Sequence, residues 1–292
     1  MTPSAIFERQ RGRLKRLAYR MRGSLTDAED VVQDTWLRWS GVDAARIEDP
    51  AAWLVRAATR LCLDRLRADR ARRETYVGPW LPEPLVEAPA DPVERAETVS
   101  VAFLLALQRL SPLERAVFLL HDVFDQDYGA IAATLEREEG ACRQLASRAR
   151  AHVRSARPRF APPPETADRL VAAFLDALGR GDVEALAGLL AEDCVLISDG
   201  GGKRPAAMRP MVGRENVMRL LRGLMARGTW PRAGSIRPAR INGLPGILLQ
   251  DEGGWQTVAF EAGEDGAALA AIYIVRNPEK LRGLAASGFY ET

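Results

Sequence analysis

Proline placement divides this chain more firmly than any other feature. Proline lacks a backbone N–H and fixes φ, so clusters of it exclude helix interiors and central strands. "YVGPWLPEPLVEAPADPVERAE" (residues 76–97) carries Pro79, Pro82, Pro84, Pro89 and Pro92 together with five acidic residues. That composition resists helix and strand and predicts an extended acidic linker. A second break, "RPRFAPPPE" (157–165), separates a helical middle from the rest. The spacing predicts folded units at 1–75, 98–157 and 165–292, with linkers at 76–97 and 158–164. A chain of 292 residues, 47% of them hydrophobic, can supply cores for such units.

Several classes are excluded early. The longest apolar run, 267–275, is too short to span a bilayer, and the arginine-rich start lacks the apolar centre of a signal peptide. A cytoplasmic location and no membrane partner are expected. Cys62, Cys142 and Cys194 are odd in number, far apart and set among aliphatics, which fits small core hydrophobes. With His121 and His152 as the only histidines, neither a metal site nor a cofactor is expected.

The net charge of +2 hides clustering. Arg56, Arg60, Arg65, Arg67, Arg70, Arg72 and Arg73 face only Asp64 and Asp69, and Arg143, Arg148, Arg150, Arg154, Arg157 and Arg159 have no acid among them. Such runs are often just solvated faces, but two arginine-rich helices in one half of a near-neutral chain point to nucleic acid.

In the first unit, "TDAEDVVQDTWLRW" offers Thr26 and Glu29 as a capping box and places Ala28, Val31, Val32, Thr35, Trp36 and Trp39 on one helical face. Glu29, Asp30, Gln33 and Asp34 fall on the other, an acidic and amide surface that is either solvated or docks a basic partner. The next helix has Asp49 as cap and Pro50 at its first position, with Trp53, Leu54, Ala57, Ala58, Leu61 and Leu66 inward and arginines outward.

The middle unit predicts a helix over 99–110, then "SPLERAVFLLHDVF" capped by Ser111. "DYGAIAATL", a turn "EREEG" and "ACRQLASRARAHVR" then form either a bare helical hairpin or a helix-turn-helix whose cationic second helix enters a major groove. The last unit predicts helices over 167–178, 183–190 and 214–225, with strands at "DCVLISD", "SIRPARIN", "PGILLQD", "WQTVAFEAG" and "ALAAIYIVRN". It reads as an α+β domain in which helices lead and an antiparallel sheet follows.

On these motifs, residues 1–157 resemble an RNA polymerase sigma-70 type sigma factor of the extracytoplasmic-function group, which keeps only regions 2 and 4. "DAEDVVQDTWLRW" is similar to the core-binding helix of region 2, and residues 110–154 are similar to region 4. The resemblance implies that Asp30, Val31, Val32, Gln33 and Asp34 bind the largest subunit of core polymerase. It implies that Arg56, Arg60, Arg65 and Arg67 contact the −10 element of promoter DNA, where opened bases are held. It implies that Arg143, Gln144, Ser147 and Arg148 contact the −35 element. One departure is Glu136 with Glu138, where the family's turn carries glycine and a hydroxyl cap, which predicts a looser turn.

Residues 165–292 resemble the SnoaL-like branch of the NTF2-like fold, a cone of helices against a curved sheet. The resemblance implies a multidomain chain of two all-α sigma domains followed by an α+β cone. Three marks of the sigma factors carrying this extension are present: "WLPEP" (80–84), "DGGGK" (199–203) and "NPEKL" (277–281). Trp80, Leu81, Pro82, Asp199, Gly200, Gly201, Gly202, Lys203, Asn277, Pro278 and Lys280 are therefore the expected interdomain regulatory residues, in a chain needing no separate anti-sigma factor. "DGGGK" is not a phosphate cradle, because Lys203 is followed by Arg204 and Pro205 rather than a hydroxyl residue.

Other readings stay open. A SnoaL-like cone can hold a small-molecule ligand, or catalyse through a carboxylate such as Asp193, Asp199, Asp251 or Glu252, although this unit contains no histidine. A helix-turn-helix regulator with an NTF2-like sensor or enzymatic domain is the alternative to a sigma factor, and the "DVVQDTW" helix, which such a regulator does not need, speaks against it. An RNA-binding role finds no aromatic stacking platform.

Overall fold

The computed structural model describes residues 2–69, 75–87, 99–156, 162–227 and 236–286. Arg70, Arg72, Arg73, Arg157, Arg159, Pro89 and Pro92 lie outside them. The chain forms two compact units, one of residues 1–75 with 102–157 and the other of 76–101 with 158–292. Contacts therefore divide the molecule differently from proline spacing. The two sigma-like segments share one unit, and the acidic segment belongs with the C-terminal domain.

In the first unit, α1 (Pro3–Arg22), α2 (Leu25–Ser40) and α3 (Pro50–Ala68) pack around Leu14, Leu17, Met21, Val31, Trp39, Leu54 and Cys62. Gly23 ends α1 in the left-handed conformation, φ 73°, and Ser24 caps α2 by accepting from the Asp27 N–H. The Thr26 capping box is thus corrected: the glycine stop leaves only Ser24 free to cap, and Thr26 already lies inside the helix. Asp49 and Pro50 start α3 as the sequence suggests. Trp39 is buried, donates its indole N–H to the Pro3 carbonyl, and lies 5.3 Å from the Trp53 ring.

The same unit continues with α4 (Val101–Gln108), α5 (Pro112–Phe118), a π-turn (Leu119–Val123), α6 (Tyr128–Leu135) and α7 (Glu139–Ala156). Ser111 and Glu114 complete a reciprocal capping box on α5. Between α6 and α7, Glu136 adopts the left-handed conformation (φ 55°, ψ 53°) that the family fills with glycine. For a residue with a Cβ that conformation carries backbone strain.

In the second unit, α8 (Pro164–Arg180), α9 (Val183–Gly188) and α10 (Arg214–Ala226) pack on one face of a seven-stranded sheet. The strands are β1 (Val86–Glu87), β2 (Leu190–Asp199), β3 (Met211–Val212), β4 (Ile236–Ile241), β5 (Leu244–Asp251), β6 (Gly254–Ala262) and β7 (Leu269–Val275), in the order β1-β4-β5-β6-β7-β2-β3. This is the helix-led α+β arrangement expected, with two corrections. β2 pairs parallel with β7, because the long crossover through α10 and β4–β6 brings the chain back in the same direction. The acidic segment contributes β1 to the sheet edge, since Val86 and Glu87 lie beyond the last described proline and can pair with β4.

Side chains alternate across the sheet. Ile247, Leu249, Val258, Phe260 and Ile272 join Phe174, Val217 and Leu221 in the helix-facing core. A row Leu248, Thr257, Val275, Asp199 runs across the opposite face. Residues 81–84, all buried, lie over that face beside Ile241, Thr257, Ala259, Tyr273 and Val275, leaving a void of about 10 Å³.

Candidate functional site

Three surfaces carry the residues singled out by sequence. On α2, Asp30 and Gln33 are exposed, Asp34 is half-buried and Val31 is fully buried. Val31 falls on the buried stripe with Ala28 and Thr35 and fixes the helix. Val32 and Gln33 line a groove of about 300 Å³ with Phe7, Glu8, Arg11, Glu29 and Trp36, so charged and apolar side chains share its walls.

On α3, the four arginines expected to meet DNA differ in what they hold. Arg65 bridges to α2 through Asp34 at 2.6 Å and the Asp27 carbonyl at 3.4 Å. Arg67 pairs with Asp64 one turn away at 3.0 Å, and both are exposed. Arg56 is half-buried. Arg60 donates to the Thr134 carbonyl at 3.1 Å, the Ala133 carbonyl at 3.5 Å and the Glu136 carboxylate at 2.8 Å, all at the end of α6.

On α7, Arg143, Gln144, Ser147 and Arg148 share one exposed face, while Cys142, Ala146 and Ala149 face the core. Arg148 reaches Glu114 at 3.0 Å. Burial would raise the Glu114 carboxyl, but hydrogen bonds from the Ser111 hydroxyl and N–H, with Arg148, outweigh it and hold the group below its ordinary value. Arg150, part of the same cationic run, is tied to Asp122 at 2.7 Å, which braces α7.

In the second unit, the three marks "WLPEP", "DGGGK" and "NPEKL" converge on one buried carboxylate. Asp199 ends β2, is fully buried, and accepts from the Tyr76 hydroxyl at 2.6 Å, the Leu81 N–H at 2.8 Å and the Lys280 ammonium at 2.7 Å. Lys280 also donates to the Leu81 carbonyl and lies 4.2 Å from the Trp80 ring centroid and 5.0 Å from that of Tyr76. The cation is thus held by an anion, a carbonyl and two π faces. Burial first, then the bond to Asp199, pushes the Tyr76 phenol well above its ordinary value, so it stays a donor. Asn277 caps the short helix Pro278–Lys280 and donates to the Tyr76 oxygen at 2.9 Å.

The glycines make this convergence sterically feasible. A Cβ on Gly201 would sit 2.2 Å from the Asn277 amide, one on Gly202 3.0 Å from Val77, and one on Gly200 2.1 Å from the Arg204 carbonyl. Gly201 and Gly202 also have positive φ, 60° and 71°. Lys203 pairs with Glu279 at the surface, and Pro278 is exposed and serves to start the turn.

Tyr76 and Asn242 were not read from sequence. Asn242 and Gly243 both have positive φ and form the β4–β5 hairpin turn, the signal that their N-G dipeptide carries. Asn242 is buried and also binds the linker, accepting from the Leu85 N–H at 3.1 Å and donating through its side chain to the Val99 carbonyl at 3.3 Å. Of the carboxylates weighed for catalysis, Asp199 is in this clamp and Asp251 is held by both oxygens on Arg204. Asp193 and Glu252 are exposed. The raised carboxyl is Glu261, where burial outweighs the bond from the Tyr273 hydroxyl at 2.5 Å.

Sigma-70 region 2 matches residues 6–72, and Sigma-70 region 4 matches residues 100–153. The ECF RNA polymerase sigma factor SigJ of Mycobacterium tuberculosis (strain ATCC 25618 / H37Rv) is 37% identical over 95% of this chain and 92% of its own length. The chain belongs to the extracytoplasmic-function RNA polymerase sigma factor family. SigG of M. tuberculosis (strain CDC 1551 / Oshkosh), another such factor, is 35% identical over 66% of this chain and 60% of its own. The crystal structure of M. tuberculosis SigJ matches with a TM-score of 0.78 at 34% identity, covering 96% of this chain and 98% of that one. This sigma factor therefore consists of regions 2 and 4 followed by the α+β domain, and the plain helix-turn-helix regulator is not favoured. No helix among the described residues is long and apolar enough to cross a membrane.

Proposed function

We propose that the C-terminal domain regulates initiation by holding the linker between region 2 and region 4. The observation that carries this reading is Asp199, a fully buried carboxylate whose three donors include two linker residues. Residues 76–101 number 26 and, fully extended, could span about 85 Å. Fixing 76–87 and Val99 to one sheet shortens that reach, and so limits how far the two sigma regions can part along DNA.

In this reading α2 presents Asp30, Gln33 and Asp34, with the Val32 groove, to core polymerase. Arg56, Arg60, Arg65 and Arg67 serve the −10 element, and Arg143, Gln144, Ser147 and Arg148 the −35 element. The acidic linker leaves its sheet for the polymerase cleft when released. The C-terminal domain acts without turnover, since Asp199 and Asp251 are each already neutralised by a cation. Regulation inside one cytoplasmic chain needs no separate anti-sigma protein, and a small molecule entering the domain would act by loosening the clamp.

The test is promoter-specific run-off transcription with purified core polymerase, comparing the full chain with Lys280→Met and Asp199→Asn. Release of residues 76–87 is followed by hydrogen exchange. Faster exchange in the linker with an altered initiation rate supports the reading. Equal initiation despite a released linker rejects it.

A further inference from the structure

Tyr128 opens α6, the first helix of the helix-turn-helix, and is held both on its ring and at its hydroxyl. The ring stacks on that of His121, with centroids 4.2 Å apart and planes inclined by 29°. His121 is fixed in turn, because its Nδ1 donates to the Gln126 carbonyl at 2.8 Å. The Tyr128 hydroxyl accepts from Arg150 at 3.4 Å, and Arg150 is anchored on Asp122 at 2.7 Å. Both supports, His121 and Asp122, come from the π-turn, where the Phe124 N–H reaches the Leu119 carbonyl five residues back at 3.0 Å. The extra residue of such a turn moves its side chains out of the α-helical register.

Over the Tyr128 ring lies Arg143 of α7, its guanidinium carbon 5.5 Å from the centroid. A second restraint on Arg143 is Glu139, one turn back, at 2.6 Å. Gly129 leaves room for that pair, since a Cβ there would lie 3.2 Å from carboxylate oxygens of both Asp127 and Glu139.

The two restraints differ in what they leave for DNA. The Arg143 side chain is 61% exposed, so burial does not fix its rotamer. An arginine reads a base edge through its planar fork, and a fork oriented beforehand loses less freedom on binding. Glu139 holds the guanidinium with an opposite charge, which DNA must displace or share. Tyr128 holds it with an uncharged π face, which orients the cation and keeps its full charge available.

We propose that Tyr128, supported by the π-turn through His121 and Arg150, is a positioning residue that orients Arg143 and so sets sequence preference at one base pair of the −35 element. The proposal rests on the assignment of Arg143 to that element made above.

The experiment uses polymerase holoenzyme carrying the full chain, titrated at one salt concentration onto a promoter it transcribes and onto duplexes substituted at each −35 base pair in turn. Tyr128→Leu is expected to lower the preference for the intact −35 element by about two- to fivefold, the scale of one exposed cation–π contact, at the same base pair that Arg143→Ala affects. Affinity for the duplex substituted there should stay unchanged. Tyr128→Phe keeps the ring and should keep the preference, and Tyr128→Leu should add nothing in an Arg143→Ala background. His121→Ala should lose part of the preference, and His121→Phe should restore it. Both affinities are read on one preparation, so a partly unfolded variant leaves their ratio intact.

Equal weakening of Tyr128→Leu on intact and substituted duplexes, an undiminished effect in the Arg143→Ala background, or a Tyr128→Phe variant that behaves like Tyr128→Leu would each overturn the positioning role. If Arg143→Ala itself changes preference at no −35 base pair, the assignment of Arg143 to that element falls, and the positioning role falls with it.

Discussion

At the scale of single residues, buried charges have the largest consequences. Asp199→Ala would leave the Lys280 ammonium, 12% exposed, without its anion, and removing one partner of a buried pair costs about 3 kcal/mol or more. A lower midpoint for the C-terminal unit in thermal unfolding is the expected outcome, with Asp199→Asn milder because the amide oxygen still accepts. Glu114 adds a pH signature. Its carboxyl is held below the ordinary value in the folded chain, so its contribution is present above the unfolded carboxylate pKa and is lost as pH falls through the lowered folded value. Glu114→Ala should therefore cost about 1 kcal/mol more at neutral pH than in strong acid, as measured by urea unfolding across pH. Several such residues could be found from sequence: Asp199 and Lys280 lie in quoted motifs, and Ser111 precedes a proline. Tyr76 could not, because a tyrosine at the start of a proline-rich stretch has no local pattern and gains its role only from Asp199, 123 positions away.

At the scale of elements, periodicity located the helices and strands because each buries one face. The ends were harder to place. Ser24 replaces Thr26 as the cap of α2 because Gly23 stops α1, and the parallel pairing of β2 with β7 depends on a crossover that alternation does not encode. β1 was missed because prolines dominate its neighbourhood while only Val86 and Glu87 pair. The helix-turn-helix gives two predictions. Glu136→Gly removes a left-handed penalty of about 1 kcal/mol and forfeits an exposed ion pair worth a few tenths, so the first unit should melt slightly higher. Arg148→Ala, on the exposed face of α7, should weaken binding to a −35 sequence by about 1–3 kcal/mol if it meets a base, and evenly across sequences if it meets phosphate. Gel-shift titration of the polymerase holoenzyme on matched and mutated promoters separates the two.

At the scale of the whole molecule, the order of regions 2 and 4 and the helix-led α+β domain were legible because each motif is local. The grouping was not, since it depends on which surfaces find each other: region 2 with region 4, and the linker with the C-terminal sheet. The linker's prolines suit it to lie extended over a sheet face, where Leu81 is fully buried. In the proposed function this clamp sets the activity of the sigma regions. The most direct measurement is the rate of promoter-specific initiation by core polymerase with the full chain and with Lys280→Met, at equal occupancy of core. The expected result is faster hydrogen exchange across residues 76–87 together with a changed initiation rate. An exchange-competent, released linker with an unchanged rate would contradict it.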